Sequence, residues 1–260
     1  MPFDIVLPTV VTITAIAIVL LYGKFENKMK SLFEEKEFRI RDSIFLVIGM
    51  GIMVTIIAFA PQLAIQILFI IAYSFVLFLF TYIASDKWYL AVLPPAIFIV
   101  LYALGSPFWN LLVLDVFAIV FAVFVSIYMG GLFSWKSVLV FALLITCMDV
   151  IQVFGTGFMG DAAVKFVALE LPVLIKVPTF PFEGAILLGL GDIFLTGLMA
   201  IQLTLKYDKR AGVIAAISTG FAFLLFEIAL FHLEFARFFP ATVVVILGWA
   251  AGYGIVRVKK

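Results

Sequence analysis

Charge is scarce in this chain, and cysteine and histidine are almost missing. Only 13% of its 260 residues are Asp, Glu, Lys or Arg, and the net charge is +1. The bulk basicity that grips nucleic acid is therefore lacking, and no nucleic-acid partner is expected. The single cysteine, Cys147, excludes a disulfide within the chain and a CxxC zinc site. The single histidine, His232, has no companions at metal-ligand spacing, so it reads as an interfacial residue beside Glu234, and neither a metal nor a cofactor is expected. "GTGFMG", Gly155 to Gly160, spells GxGxxG, but it follows an apolar helix instead of a strand and no βαβ unit surrounds it. Dinucleotide binding is not expected there. Internal repeats, low-complexity stretches and linkers are also missing, which leaves a single domain.

Apolar residues are what the chain has in quantity. They make up 66% of it, with 30 phenylalanines and a mean hydropathy of +1.28, more than a soluble domain carries while keeping a wetted surface. The expected class is an all-α, multi-pass membrane protein with the lipid bilayer as its surroundings. About 20 apolar residues at ~1.5 Å rise cross a bilayer core. That ruler marks nine segments near 3–22, 44–60, 63–84, 88–104, 109–129, 137–157, 184–206, 211–230 and 238–256. The division at Ala60-Pro61-Gln62 follows from length, because one helix from 44 to 84 would run about 60 Å, twice the membrane. The first apolar run has no basic region ahead of it and no small-residue cleavage site, so a retained first span is expected.

Lys and Arg favour the cytoplasmic side. Fourteen of the 17 fall in one set of connections, with the C-terminus, and only Lys165, Lys176 and Arg237 in the other. The N-terminus is therefore expected outside, the C-terminus inside, and the longest outer loop at 158–183. Within "KFENKMKSLFEEKEFRIRDS" the residues Phe25, Met29, Leu32 and Phe33 lie at helical spacing between charges, as in a short interfacial helix. "GWAAG", Gly248 to Gly252, is a GxxxG pattern expected to pack the last span on a neighbour. "LPVLIKVPTF" in the outer loop is β-prone despite Pro172 and Pro178. It is read either as an irregular lid or as an edge that pairs with an unwound peptide.

The informative residues are the carboxylates. An acid near the middle of a spanning helix costs roughly 2.5–3.5 kcal/mol on insertion scales and marks function by default. Asp115, Asp149, Asp192 and Glu227 are the acids within spans. Asp115, about 9 Å below the outer surface, reads as a wall position facing water, and Glu227, three residues from its boundary, as reaching the headgroups. Asp149 lies eight residues before the end of an outward-running span and Asp192 eight residues inside the next, inward-running one. Both then sit about 12 Å below the outer boundary on antiparallel neighbours. Two carboxylates that meet in a low-dielectric site share a proton. One can then take a proton from a water attacking a peptide carbonyl while the other donates. Gly189 and Gly191 are expected to let the helices approach closely.

At these residues the chain resembles a known family. "MDVIQVFGT" (Met148 to Thr156), "LGLGDI" (Leu188 to Ile193) and "FPAT" (Phe239 to Thr242) resemble the motifs of the presenilin and signal peptide peptidase family of intramembrane aspartyl proteases. The resemblance covers about 137–250 well and the first five spans by count alone. It implies nine spans, catalytic Asp149 and Asp192, and an active site shaped by Gly189, Leu190, Gly191, Pro240, Ala241, Thr242 and Met148. It also implies transmembrane segments or signal peptides as substrates. The family's usual Tyr before the first aspartate is Met148 here, and the usual Leu closing the proline motif is Thr242; both bear on subsite shape. The "VFGT" tail and the outside-in orientation are more similar to signal peptide peptidase than to presenilin, and the short chain resembles compact prokaryotic, archaeal-like members of a cell membrane. Two other classes use intramembrane acids. A proton- or cation-coupled transporter or channel would favour an inverted repeat, which is not seen. A prepilin-type peptidase resembles a smaller enzyme with a basic residue soon after GxGD, where this chain has "IFLTG".

Overall fold

A computed structural model describes residues 4–33, 37–180, 184–233 and 239–258. In chain order the elements are α1 (Val6–Phe33), α2 (Ile40–Phe59), α3 (Gln62–Ser85), α4 (Trp88–Ala91), α5 (Leu93–Leu104), α6 (Leu111–Gly130) and α7 (Trp135–Val150). A π-helical turn, Ile151–Thr156, follows. Then come α8 (Phe158–Ala168), β1 (Leu174–Pro178), β2 (Ala185–Gly189), α9 (Leu190–Lys206), α10 (Lys209–Leu233) and α11 (Ala241–Val258). Among the described residues seven helices are long and apolar enough to cross a membrane. Trp88–Leu104 and α9, over the expected fourth and seventh segments, are shorter at 17 residues each.

Local chemistry sets the ends of these helices. The Asp4 carboxylate accepts from the N–H groups of Val6 and Leu7 at 3.1 Å each and starts α1. Asn110 takes the Val113 N–H at the head of α6, and Ser134 and Ser137 cap α7 reciprocally. Each satisfies donors that a helix N-terminus leaves free. Pro61 caps α3 right after α2 stops, confirming the expected break.

The axis of the molecule is α9. Ile193 through Leu203 are buried without a break, the all-round burial of a central helix, and α1, α6, α7, α10 and α11 pack around it. A methyl at Gly197 would collide with Ile18 and Ser126, and methyls at Gly248 and Gly252 would collide with Thr219, Ala222 and Ala215 of α10. The GxxxG pattern therefore packs as expected, and these glycines, not Gly189 and Gly191, bring helices together. The outward faces of the flanking helices are apolar, with Phe45, Ile71 and Leu112 each more than 60% exposed. Such surfaces suit lipid and not water.

Four expectations change here. The seventh segment does not begin as helix at Gly184: residues 185–189 form β2, paired antiparallel with β1 from Leu174↔Gly189 to Pro178↔Ala185, and the helix starts at Leu190. Apolar runs of this length look alike as strand or helix, and pairing with β1 decides between them. The loop 158–183 is not an irregular lid, since α8 and β1 occupy most of it. The basic stretch does not open a separate interfacial helix: α1 continues unbroken to Phe33, although the side chains of Met29, Leu32 and Phe33 lie outside the description. His232 belongs to α10 instead of a loop, while Glu234 and Arg237 lie outside the described residues.

Candidate active site

Asp149 and Asp192 reach one place from different elements. Asp149 is in the last turn of α7, 6% exposed, and beyond it the ladder loosens into the π-helical turn, where the Ile151 N–H is shared between the Cys147 and Met148 carbonyls. Asp192 is in the first turn of α9, half-buried, delivered by β2 and not from deep within a helix. The backbone N–H of Gly189, the residue before the helix, faces its carboxylate. Asp149 lies close enough to interact with Asp192 electrostatically. The two carboxylates thus lie within electrostatic reach of each other, and the route to Asp192 is a strand.

The proline motif arrives from the other side. Pro240 is buried ahead of α11; its ring fixes φ and it offers no N–H. Ala241, half-buried, opens the helix. Thr242, 6% exposed, donates from Oγ1 to Asp149 Oδ2 at 2.8 Å, and its backbone N–H faces the same carboxylate. Met148 points away from this junction, toward Gly51 of α2.

Gly189 and Gly191 do something other than expected. A methyl at Gly189 would stand 3.1 Å from Asp192 Oδ2, whereas one at Gly191 would meet nothing within 4 Å. Gly189 thus makes room for the carboxylate itself. Gly191 is exposed and, with Leu190 and Phe194, floors a cavity of about 260 Å³ walled by Leu46 and Met50 of α2 and Phe121 and Val125 of α6. The cavity is apolar, and Gly191 on its floor is the residue before Asp192. Sequence patterns gave no sign of it, because its walls come from three helices far apart in the chain.

The hairpin next to the acids has one closed edge and one open edge. Thr179 N–H donates to the Gly184 carbonyl and Leu190 N–H to the Val173 carbonyl, so in this register Ile175/Leu188 and Val177/Ile186 are the hydrogen-bonded pairs. Leu174, Lys176 and Pro178 of β1, and Ala185, Leu187 and Gly189 of β2, therefore turn their backbone groups outward. On β1 the Lys176 N–H is taken by Asp115 Oδ1 at 2.9 Å, and Pro178 has no N–H. Asp115 accordingly fastens the hairpin to α6, a role beyond the wall position expected for it. On β2, Ala185 and Leu187 are exposed, and nothing among the described residues pairs with their outward groups.

Glu227 is a correction. It is 1% exposed, so it does not reach headgroups; neither carboxylate oxygen has a hydrogen-bond partner among the described residues. Counting residues from a helix end measures depth but not which neighbours close over a side chain. Among the described residues no group of three or more His, Cys, Asp or Glu could hold a metal. No family model matches the chain, and no curated protein matches it in sequence.

Proposed function

We propose that this protein is an intramembrane aspartyl endopeptidase that hydrolyses peptide bonds within transmembrane segments or signal peptides. The observation that carries the proposal is that Asp149, at the end of α7, and Asp192, at the start of α9, lie within electrostatic reach of each other inside an apolar helical bundle. With one proton on the pair, the unprotonated carboxylate accepts a proton from water as the oxygen attacks the scissile carbonyl. The protonated one donates to the carbonyl oxygen, giving a tetrahedral diol; as its C–N bond breaks, the nitrogen takes the proton held by the first carboxylate and the second regains its own from a diol hydroxyl. No metal or cofactor enters this scheme.

The surroundings suit an extended substrate. Peptide bonds in an intact helix are engaged in their own ladder, so a scissile segment has to unwind. The open edge of β2, with the N–H and C=O groups of Ala185 and Leu187, offers such a segment a strand partner shortly before Gly189 and Asp192 in the chain. The cavity floored by Leu190, Gly191 and Phe194 accommodates an apolar side chain of that segment beside the acids. On this reading nine crossings are the seven long helices together with Trp88–Leu104 and α9 as shorter ones. The Lys and Arg asymmetry puts the hairpin on the outer side.

The test is cleavage of a model transmembrane peptide by purified protein, with products identified by mass spectrometry. Asp149→Asn and Asp192→Asn are each expected to abolish cleavage while leaving the thermal unfolding profile in detergent in place. Turnover by either variant would remove the assignment. A protein that left the peptide whole but moved protons or cations into liposomes would instead be a transporter.

A further inference from the structure

We infer that Thr242 is a positioning residue for the Asp149 carboxylate, acting through its hydroxyl; the inference rests on the protease reading above. Asp149 occupies the point where α7 gives way to a π-helical turn. The brace comes from 93 residues away: Thr242 Oγ1 holds Asp149 Oδ2 at 2.8 Å, both side chains being 6% exposed. Its backbone N–H, one of the donors that the first turn of α11 leaves unpaired, faces the same carboxylate.

Thr242 is itself held rigidly. Pro240 ahead of it is buried and fixed in φ. Gly248 and Gly252 seat α11 directly on α10, and Trp249 Nε1 donates to the Met199 carbonyl of α9 at 3.0 Å. The hydroxyl therefore presents a donor fixed relative to α9, the helix that carries Asp192. The geometry of one acid is thereby referred to the helix of the other. A hydroxyl is needed for this, and an apolar side chain at 242 would leave Asp149 Oδ2 without its partner.

Thr242→Val keeps the β-branched shape and the backbone N–H and removes only the donor; Thr242→Ala removes donor and shape; Thr242→Ser keeps the donor. Steady-state cleavage of the transmembrane peptide is expected to show kcat reduced about 10- to 100-fold in both Thr242→Val and Thr242→Ala, the cost of a hydrogen bond to a charged group. KM should stay within about twofold, and Thr242→Ser should restore kcat to within about threefold of the natural protein. If Thr242→Val matches the natural protein in kcat, or if Thr242→Ser is as slow as Thr242→Val, the hydroxyl has no positioning role, and the protease reading stands. If the natural protein leaves the peptide intact, the protease reading falls and the role of Thr242 falls with it. Unfolding midpoints of all three variants separate slow chemistry from lost fold.

Discussion

A glycine can serve by making room for a neighbour or by adopting a backbone that other residues avoid, and Gly189 and Gly191 separate these uses. Gly189 has φ −68° and ψ 143°, open to any residue, so only space argues for glycine there, and the space belongs to Asp192 Oδ2 at 3.1 Å. Gly189→Ala should therefore push the carboxylate by a few tenths of an ångström and lower kcat about tenfold with the fold intact, as measured by cleavage rate and unfolding midpoint together. Gly191→Ala meets open space within a helix, where alanine gains up to about 1 kcal/mol; its unfolding midpoint should rise or hold. A fall would show that Gly191 packs against something after all. At this scale the two acids were legible, because carboxylates in apolar runs are costly enough to be conspicuous. Thr242 was legible only as a departure from a motif. Glu227 was misjudged, and the partner of Asp115 missed, because a side chain's burial and partners depend on neighbours that no local pattern names.

At the level of elements, the register of the hairpin makes a sharper test than its mere presence. Leu187 turns its N–H away from β1, so proline there removes no ladder bond between β1 and β2 while it deletes the outward donor on the open edge. Leu187→Pro is expected to raise KM at least about tenfold for a transmembrane peptide. Backbone amide exchange of Val177 and Leu188, inward-facing in the ladder, should stay slow. Unchanged KM with the hairpin preserved would show that substrate does not add to β2. The hairpin was half legible: "LPVLIKVPTF" carries the β-branched residues of a strand, but "AILLG" reads equally as the head of a spanning helix. Only the pairing of Leu174–Pro178 with Ala185–Gly189 resolves that ambiguity, and pairing is a property of two segments at once.

Across the whole molecule, the two ends of the bundle differ in charge in a way that connects topology to substrate choice. Asp4 accepts from the Phe180 N–H at 2.9 Å, which joins the head of α1 to the hairpin, and Gly23 lies against Lys209 at the opposite end. Lys24, Lys206, Lys209 and Arg210 gather near that second end, whereas Lys165 and Lys176 fall on the hairpin side. If this bias sets the orientation, water and the open β2 edge are reached from outside the cell. A strand antiparallel or parallel to β2 must then be drawn from the outer half of the substrate helix, and anchors with a cytoplasmic N-terminus are the expected substrates. Cys147 is the single cysteine and is exposed, so Cys147→Ala supplies a thiol-free background. In it, Glu170→Cys between α8 and β1, and Lys136→Cys at the start of α7, place one thiol at each end, both positions being exposed. An impermeant maleimide on intact cells is expected to label the first and to reach the second only after lysis. The opposite pattern would invert the protein in the membrane and, for the protease proposed above, move the catalytic side to the cytoplasm and reverse the polarity of the expected substrates.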